Sequence, residues 1–148
     1  MRFMIFVPGR PKGKQRARAA VGKNGKAFMY TPKDTINTEA TIRAQAMTWM
    51  AQNGIPTPHE GPVRILVRNL YARPKEFWDG KEPMGGHGDV DNLMKVAMDA
   101  LNKVLFKDDA QIIKGVADKA YHDRPGMLIV AELLPLVEKP KRKKKKDG

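Results

Sequence analysis

Cysteine is absent from the 148-residue chain. That excludes a disulfide framework, a Cys-ligated zinc or iron–sulfur site and thiol catalysis, and it leaves any metal to oxygen or histidine ligands. Long apolar runs are absent as well. The stretch Phe3 to Val7 is too short for a signal-peptide core, and nothing approaches the ~18 apolar residues that cross a bilayer, so the expectation is a soluble, cytoplasmic protein with no membrane partner. Aromatic residues make up only 7% of the chain, yet 41% of it is hydrophobic, enough for a folded core. The length suits about one domain, and no internal repeat is visible.

What is present is a large excess of positive charge, Lys plus Arg 28 against Asp plus Glu 16, and its placement is informative. Residues 2–26 contain Arg2, Arg10, Lys12, Lys14, Arg16, Arg18, Lys23 and Lys26 with no acid. Residues 139–148 carry Lys139, Lys141, Arg142 and Lys143 to Lys146 against Asp147 alone. The body between them, 27–138, has 13 basic and 15 acidic residues. A mildly acidic centre therefore lies between two cationic ends, a distribution suited to a polyanion.

Local patterns predict the elements. Arg2 to Val7 reads as a strand ended by Pro8-Gly9, and Arg10 to Ala19 as a basic loop punctuated by Pro11 and Gly13. Val21 to Tyr30 suggests a hairpin turned at Lys23-Asn24-Gly25-Lys26. Thr31-Pro32-Lys33-Asp34 marks a helix start with Thr31 as cap, the helix running to about Gln52 and stopping at Gly54. Pro62 to Tyr71 alternates as a half-exposed strand, and Arg73 to Gly88 is a long loop of Gly, Pro and charge. From Val90, Leu93, Val96, Ala97, Ala100, Leu101 and Val104 fall on one face of an amphipathic helix. Gln111 to Tyr121 and Met127 to Leu134 read as a closing β-hairpin.

The densest polar cluster is His87-Gly88-Asp89-Val90-Asp91-Asn92 with Lys95, followed beyond the helix by Asp108-Asp109. Clustered carboxylates repel unless a cation neutralises them, and hard oxygen ligands suit Mg2+, with Mn2+ the alternative. Such a site serves phosphodiester hydrolysis, and Lys95 is placed to orient water or stabilise developing oxyanion charge. Asp109 joins Asp89 and Asp91 only if the chain after the helix runs back towards the helix start. The plainer readings stand beside this one: Asp89 as an N-cap, Asp91 as a first-turn acid, Asp108-Asp109 as a polar turn, Asp99 as the end of an ion-pair ladder with Lys95, Trp49 and Trp78 as packing residues. An EF-hand fails because Met94 and Ala100 stand where Gly and Glu are needed. A phosphate loop at Gly9 to Lys14 fails on spacing, and Gln15 replaces its Ser or Thr.

The run Asp89-Val90-Asp91-Asn92-Leu93-Met94-Lys95, then Asp99-Ala100-Leu101-Asn102, then Asp108-Asp109-Ala110-Gln111-Ile112, closely resembles the signature of the RusA family of Holliday junction resolvases. Gly9 to Arg18 is similar to that family's basic stretch after the first strand, and Tyr30-Thr31-Pro32 to the entry of its first helix. The resemblance covers about residues 1–134. It implies a single small α+β domain with a mixed sheet and two main helices over residues 1–136. The lysine-rich run that follows, 137–148, is not a feature of that family core and reads from its composition as a disordered tail. It also implies a homodimeric, Mg2+-dependent endonuclease, bacterial or phage-encoded, that cuts four-way DNA junctions in recombination and repair. Asp89, Asp91 and Asp109 would be metal ligands and Lys95 the catalytic lysine. Arg10, Lys12, Lys14, Arg16 and Arg18 would meet the DNA backbone. Two alternatives remain open at this point: a basic nucleic-acid-binding protein without catalysis, and a nuclease for other branched DNA.

Overall fold

Alternation of apolar residues over the strands and the three-and-four spacing in the second helix leave one way to make a core: both helices on the same face of one sheet. The computed structural model describes residues 1–85 and 88–142. The chain runs β1 (Arg2–Pro8), β2 (Arg18–Val21), β3 (Ala27–Tyr30), α1 (Lys33–Gln52), β4 (Val63–Tyr71), α2 (Val90–Leu101), a 3-10 turn at Asp109–Gln111, β5 (Ile112–Tyr121) and β6 (Gly126–Leu133). The main sheet has the order β1-β6-β4-β5, with β5 parallel to β4 and the other pairs antiparallel. β2 and β3 form a separate two-stranded ribbon. The molecule is the small α+β domain with a mixed sheet and two helices that the motifs imply. No helix of the described residues is long and apolar enough to cross a membrane.

The inward sheet face carries Phe3, Ile5, Val63, Ile65, Val67, Met127, Ile129, Ala131 and Leu133. Against it lie Ile42, Ala46 and Met50 of α1 and the buried stripe Leu93, Val96, Ala97, Ala100 and Leu101 of α2. Trp49 packs edge-on against Phe3, ring centroids 4.9 Å apart, as a packing residue would. The alanines of the α2 stripe let that helix approach the sheet closely, which fixes the position of its N-terminus relative to the strands.

Four local expectations are corrected. β5 and β6 do not pair with each other: β4 lies between them and bonds to both. β4 is buried at alternate positions and again at its end, over Asn69, Leu70 and Tyr71, so leaving either edge unpaired would strand buried backbone groups. Residues 122–125 instead arch over its end, where the His122 N–H donates to the Tyr71 carbonyl, spanning about two strand spacings of ~4.8 Å. The second helix stops at Leu101, not Val104, because Lys103 takes a left-handed φ of 64°. The first helix is entered through Pro32 rather than Thr31, with no side-chain cap. Asp99 pairs with Lys14 instead of Lys95. The hairpin holds, its positive φ falling on Gly25. His87 and residues 143–148, where much of the expected disordered tail falls, lie outside the described residues.

Candidate active site

The entrance of α2 sets the first part of the site. Asp89 occupies the N-cap position with extended backbone, φ −67° and ψ 144°, but its carboxylate makes no capping hydrogen bond. The helix start is held by its backbone alone, the Leu93 N–H donating to the Asp89 carbonyl at 3.0 Å. The side chain is therefore not consumed in capping, contrary to the plainer reading of this residue. Asp91, in the first turn, is exposed, and among the described residues it forms no ion pair with Lys95.

The return leg brings in Asp109. After the Lys103 turn, closed by its N–H on the Phe106 carbonyl at 2.8 Å, Leu105 and Phe106 are fully buried and draw the chain back into the core. The backbone then docks on the segment before β4: His59 N–H donates to the Leu105 carbonyl at 2.7 Å and Lys107 N–H to the His59 carbonyl at 3.2 Å. Asp108 caps the 3-10 turn, its carboxylate accepting from the Ala110 N–H at 3.1 Å, while Gln111 Oε1 accepts from the Asp108 N–H at 2.8 Å. The Gln111 amide donates in turn to the His59 and Gly61 carbonyls, both at 2.8 Å. Gln111 thus ties the aspartate pair to the segment before β4, a role the sequence reading missed. Its signal was there, since Asp-x-x-Gln is the spacing of a capping box.

These segments meet at a cleft of about 590 Å3 lined by Asp89, Asp91, Asn92, Lys95, Asp99 and Asp109 together with Lys14, Gln15 and Arg16. A second trough of about 560 Å3 adjoins it, sharing Lys14, Gln15, Arg16, Asp89 and Asn92. All of the basic residues singled out in the sequence, Arg10, Lys12, Lys14, Arg16 and Arg18, line that trough. A separate hollow on the outer sheet face, lined among others by Arg2, Arg64, Lys114 and Glu132, contains none of these groups.

The basic loop is pinned rather than hanging free. Lys14 N–H donates to the Asn92 carbonyl at 2.9 Å, and Gln15 N–H to the hydroxyl of buried Thr35 at 3.0 Å. Gly13 lets the loop approach α2 closely: a Cβ there would sit 3.1 Å from Asn92 Cβ and 3.3 Å from the Leu93 nitrogen, tighter than ordinary contact. The Lys14 ammonium lies between Glu39 of α1 at 3.0 Å and Asp99 of α2 at 2.6 Å. Asp99 foremost, with Glu39, raises its pKa above the ordinary lysine value. Its charge is engaged inside the protein, joining the helices, and Lys12 leans on Asp34 at 3.7 Å.

Charge crowding marks the acidic side. A hydrogen bond from the Ala110 N–H holds Asp108 below the usual carboxylate range. The hydrogen bond with Asp108, partial desolvation and the negative charges of Asp108 and Asp99 push Asp109 up. Among the described residues no three carboxylates or imidazoles stand close enough together to enclose an ion. The backbone places Asp89, Asp91 and Asp109 around one opening, each with an exposed side chain.

Comparison with known proteins gives two findings. Residues 8–132 match the family described as "Endodeoxyribonuclease RusA". The chain is also 27% identical over 135 residues, covering 84% of its own length and 90% of the relative, to the "Uncharacterized protein YqaN" of Bacillus subtilis (strain 168).

Proposed function

The chain belongs to the RusA endodeoxyribonuclease family, and from that premise we propose that it resolves four-way DNA junctions by metal-dependent hydrolysis of paired phosphodiesters, in recombination and repair. One observation carries the reading: carboxylates from separate parts of the chain, Asp89 and Asp91 at the start of α2 and Asp109 after the return leg, face one cleft that opens into a cation-lined trough. The donor set fits Mg2+ or Mn2+, being all carboxylate and free of sulfur. Asp89, Asp91 and Asp109 would hold the ion by turning their exposed side chains inward from the rim of the cleft, since they do not enclose one where they stand. When bound, it supplies the Lewis acidity that activates water and offsets charge on the reacting phosphate.

The protein's own groups do the rest. Arg10, Arg16 and Arg18 along the trough attract the strand and set its register without reading bases. Lys95, one turn from Asp91, lines the same cleft, and its ammonium would stabilise negative charge on the phosphate oxygens as the leaving oxygen departs. Lys14 acts through structure: by joining Glu39 and Asp99 it keeps one acid of the cleft neutralised and holds the trough against the helices. In this reading residues 1–136 are the nuclease unit and 137–148 a cationic extension. The active form is a cytoplasmic homodimer of bacterial or phage origin, since two symmetric cuts need two related sites.

An Asp89 that caps no helix argues against an idle DNA-binding protein. The test is an end-labelled synthetic four-way junction incubated with the protein, with and without Mg2+, beside Asp91→Asn and a linear duplex. Paired Mg2+-dependent nicks on the junction, lost in Asp91→Asn while junction binding persists, are expected. Unchanged cutting by Asp91→Asn would overturn the site, and cutting of flaps or forks in preference to junctions would change the substrate.

A further inference from the structure

The β2–β3 ribbon carries the largest group of exposed apolar side chains outside the chemistry described above. Phe28 is 49% exposed, Tyr30 42%, Met29 66% and Val21 73%. The pairing register sets Arg18 opposite Tyr30 and Ala20 opposite Phe28, and cross-strand partners share a face. One face of the ribbon therefore presents Arg18, Ala20, Phe28 and Tyr30. The two rings lie 6.2 Å apart, tilted by 47°, and the residue opposite Phe28 is the small Ala20. Arg18 also lines the cationic trough, so this aromatic face adjoins the trough at Arg18.

An exposed aromatic face is unfavourable in water unless something covers it. Its charge indicates what. Residues 2–33 contain no acidic side chain, and Lys23 and Lys26 stand in the turn of the same ribbon. Aromatic rings on a segment that carries Arg and Lys but no acid of its own suit unpaired nucleotides: bases stack on the rings, and phosphates meet the cations. We propose that the Phe28–Tyr30 face of the ribbon is a stacking platform for unpaired bases, which lets the protein prefer DNA with an opened branch over continuous duplex. The proposal rests on the nuclease reading for its biological setting but is a separate binding site.

The experiment uses the full chain in EDTA, so that no cutting intervenes. Affinity is measured by fluorescence anisotropy for a short oligo(dT) and for a linear duplex, with wild type, Phe28→Ala/Tyr30→Ala and the aromatic exchange Phe28→Tyr/Tyr30→Phe. Both side chains are exposed, so the alanine variant should fold, and circular dichroism and sedimentation check fold and oligomeric state. The expected result is about tenfold or greater loss of oligo(dT) affinity in the alanine variant, a change within about twofold on duplex, and near wild-type binding by the exchange variant. Oligo(dT) affinity unchanged by alanine, an equal loss on duplex, or dissociation of a dimer would each overturn the proposal, the last by making the face a contact between copies. The Mg2+ cutting assay separates the two readings. A chain that stacks oligo(dT) on these rings but never cuts fails only as a nuclease, and one that cuts with no dependence on them fails only here.

Discussion

Replacing Gln111 with Ala removes three hydrogen bonds at once: two donated by its amide to the His59 and Gly61 carbonyls and one accepted from the Asp108 N–H, each 2.8 Å long. Each is worth about 1 kcal/mol net, and the side chain is half-buried, so water can replace part of the loss; about 2 kcal/mol remains. For a domain of this size that lowers Tm by roughly 4–8 °C, readable by circular dichroism. The larger effect falls on function, because the turn that holds Asp109 at the cleft loses its tie to the segment before β4. The expected outcome is a fall in junction nicking well beyond what the lost stability explains, measured at a temperature where the variant is fully folded. Gln111→Glu is a sharper probe: it keeps an acceptor for Asp108 but sets a carboxylate against two carbonyls, so it should be less stable than Gln111→Ala. A Tm within about 1 °C of wild type for Gln111→Ala would refute the claim that these bonds hold the turn.

Three further outcomes are expected. Lys14→Met should cost only about 0.5 kcal/mol, since the ion pairs are partly exposed and screened; the Lys14 pKa is raised on folding, so the difference from wild type should be full below the ordinary lysine pKa and fade as pH climbs through the folded value, a trend that urea titrations at several pH values would follow. Gly13→Ala pushes the basic loop away from Asn92, whose Cβ would stand 3.1 Å from the new one, and should weaken junction binding more than it lowers Tm. Removing residues 139–148 deletes seven cations and one acid; the slope of log affinity against log salt should become shallower by at most about 6, and an unchanged slope in anisotropy titrations would show that the tail never meets DNA.

What was legible in the sequence was whatever depends on near neighbours. The α2 stripe from Leu93 to Leu101 is visible because helical spacing alone places those residues on one face. The ribbon is visible because Asn24-Gly25 announces its turn. The β5–β6 hairpin was misread because two strands joined by four residues look the same whether they pair directly or a third strand lies between them, and the partners of β4 are decided by burial across the whole sheet. The site divides the same way. Asp89 and Asp91 are apparent from their place at a helix entrance, whereas the second role of Lys14 is not, its partners Glu39 and Asp99 lying 25 and 85 positions away.

The step on which the whole constellation turns is Lys103, and it can be tested at the backbone. Its φ of 64° is in the left-handed region, which costs a residue with a Cβ roughly 1–2 kcal/mol. The fold tolerates this because the turn allows Leu105 and Phe106 to be buried completely. Burial of two large side chains outweighs the strain, at about 2 kcal/mol or more each. Lys103→Gly removes the strain but makes the unfolded chain freer, which returns part of the gain, so the net expectation is stabilisation of about 0.5–1 kcal/mol. Lys103→Val, β-branched and poorly suited to positive φ, should be destabilised instead. If chemical denaturation finds Lys103→Gly less stable than wild type, the turn is not strained. The return of Asp109 to the cleft would then have to be ascribed to the Gln111 contacts alone.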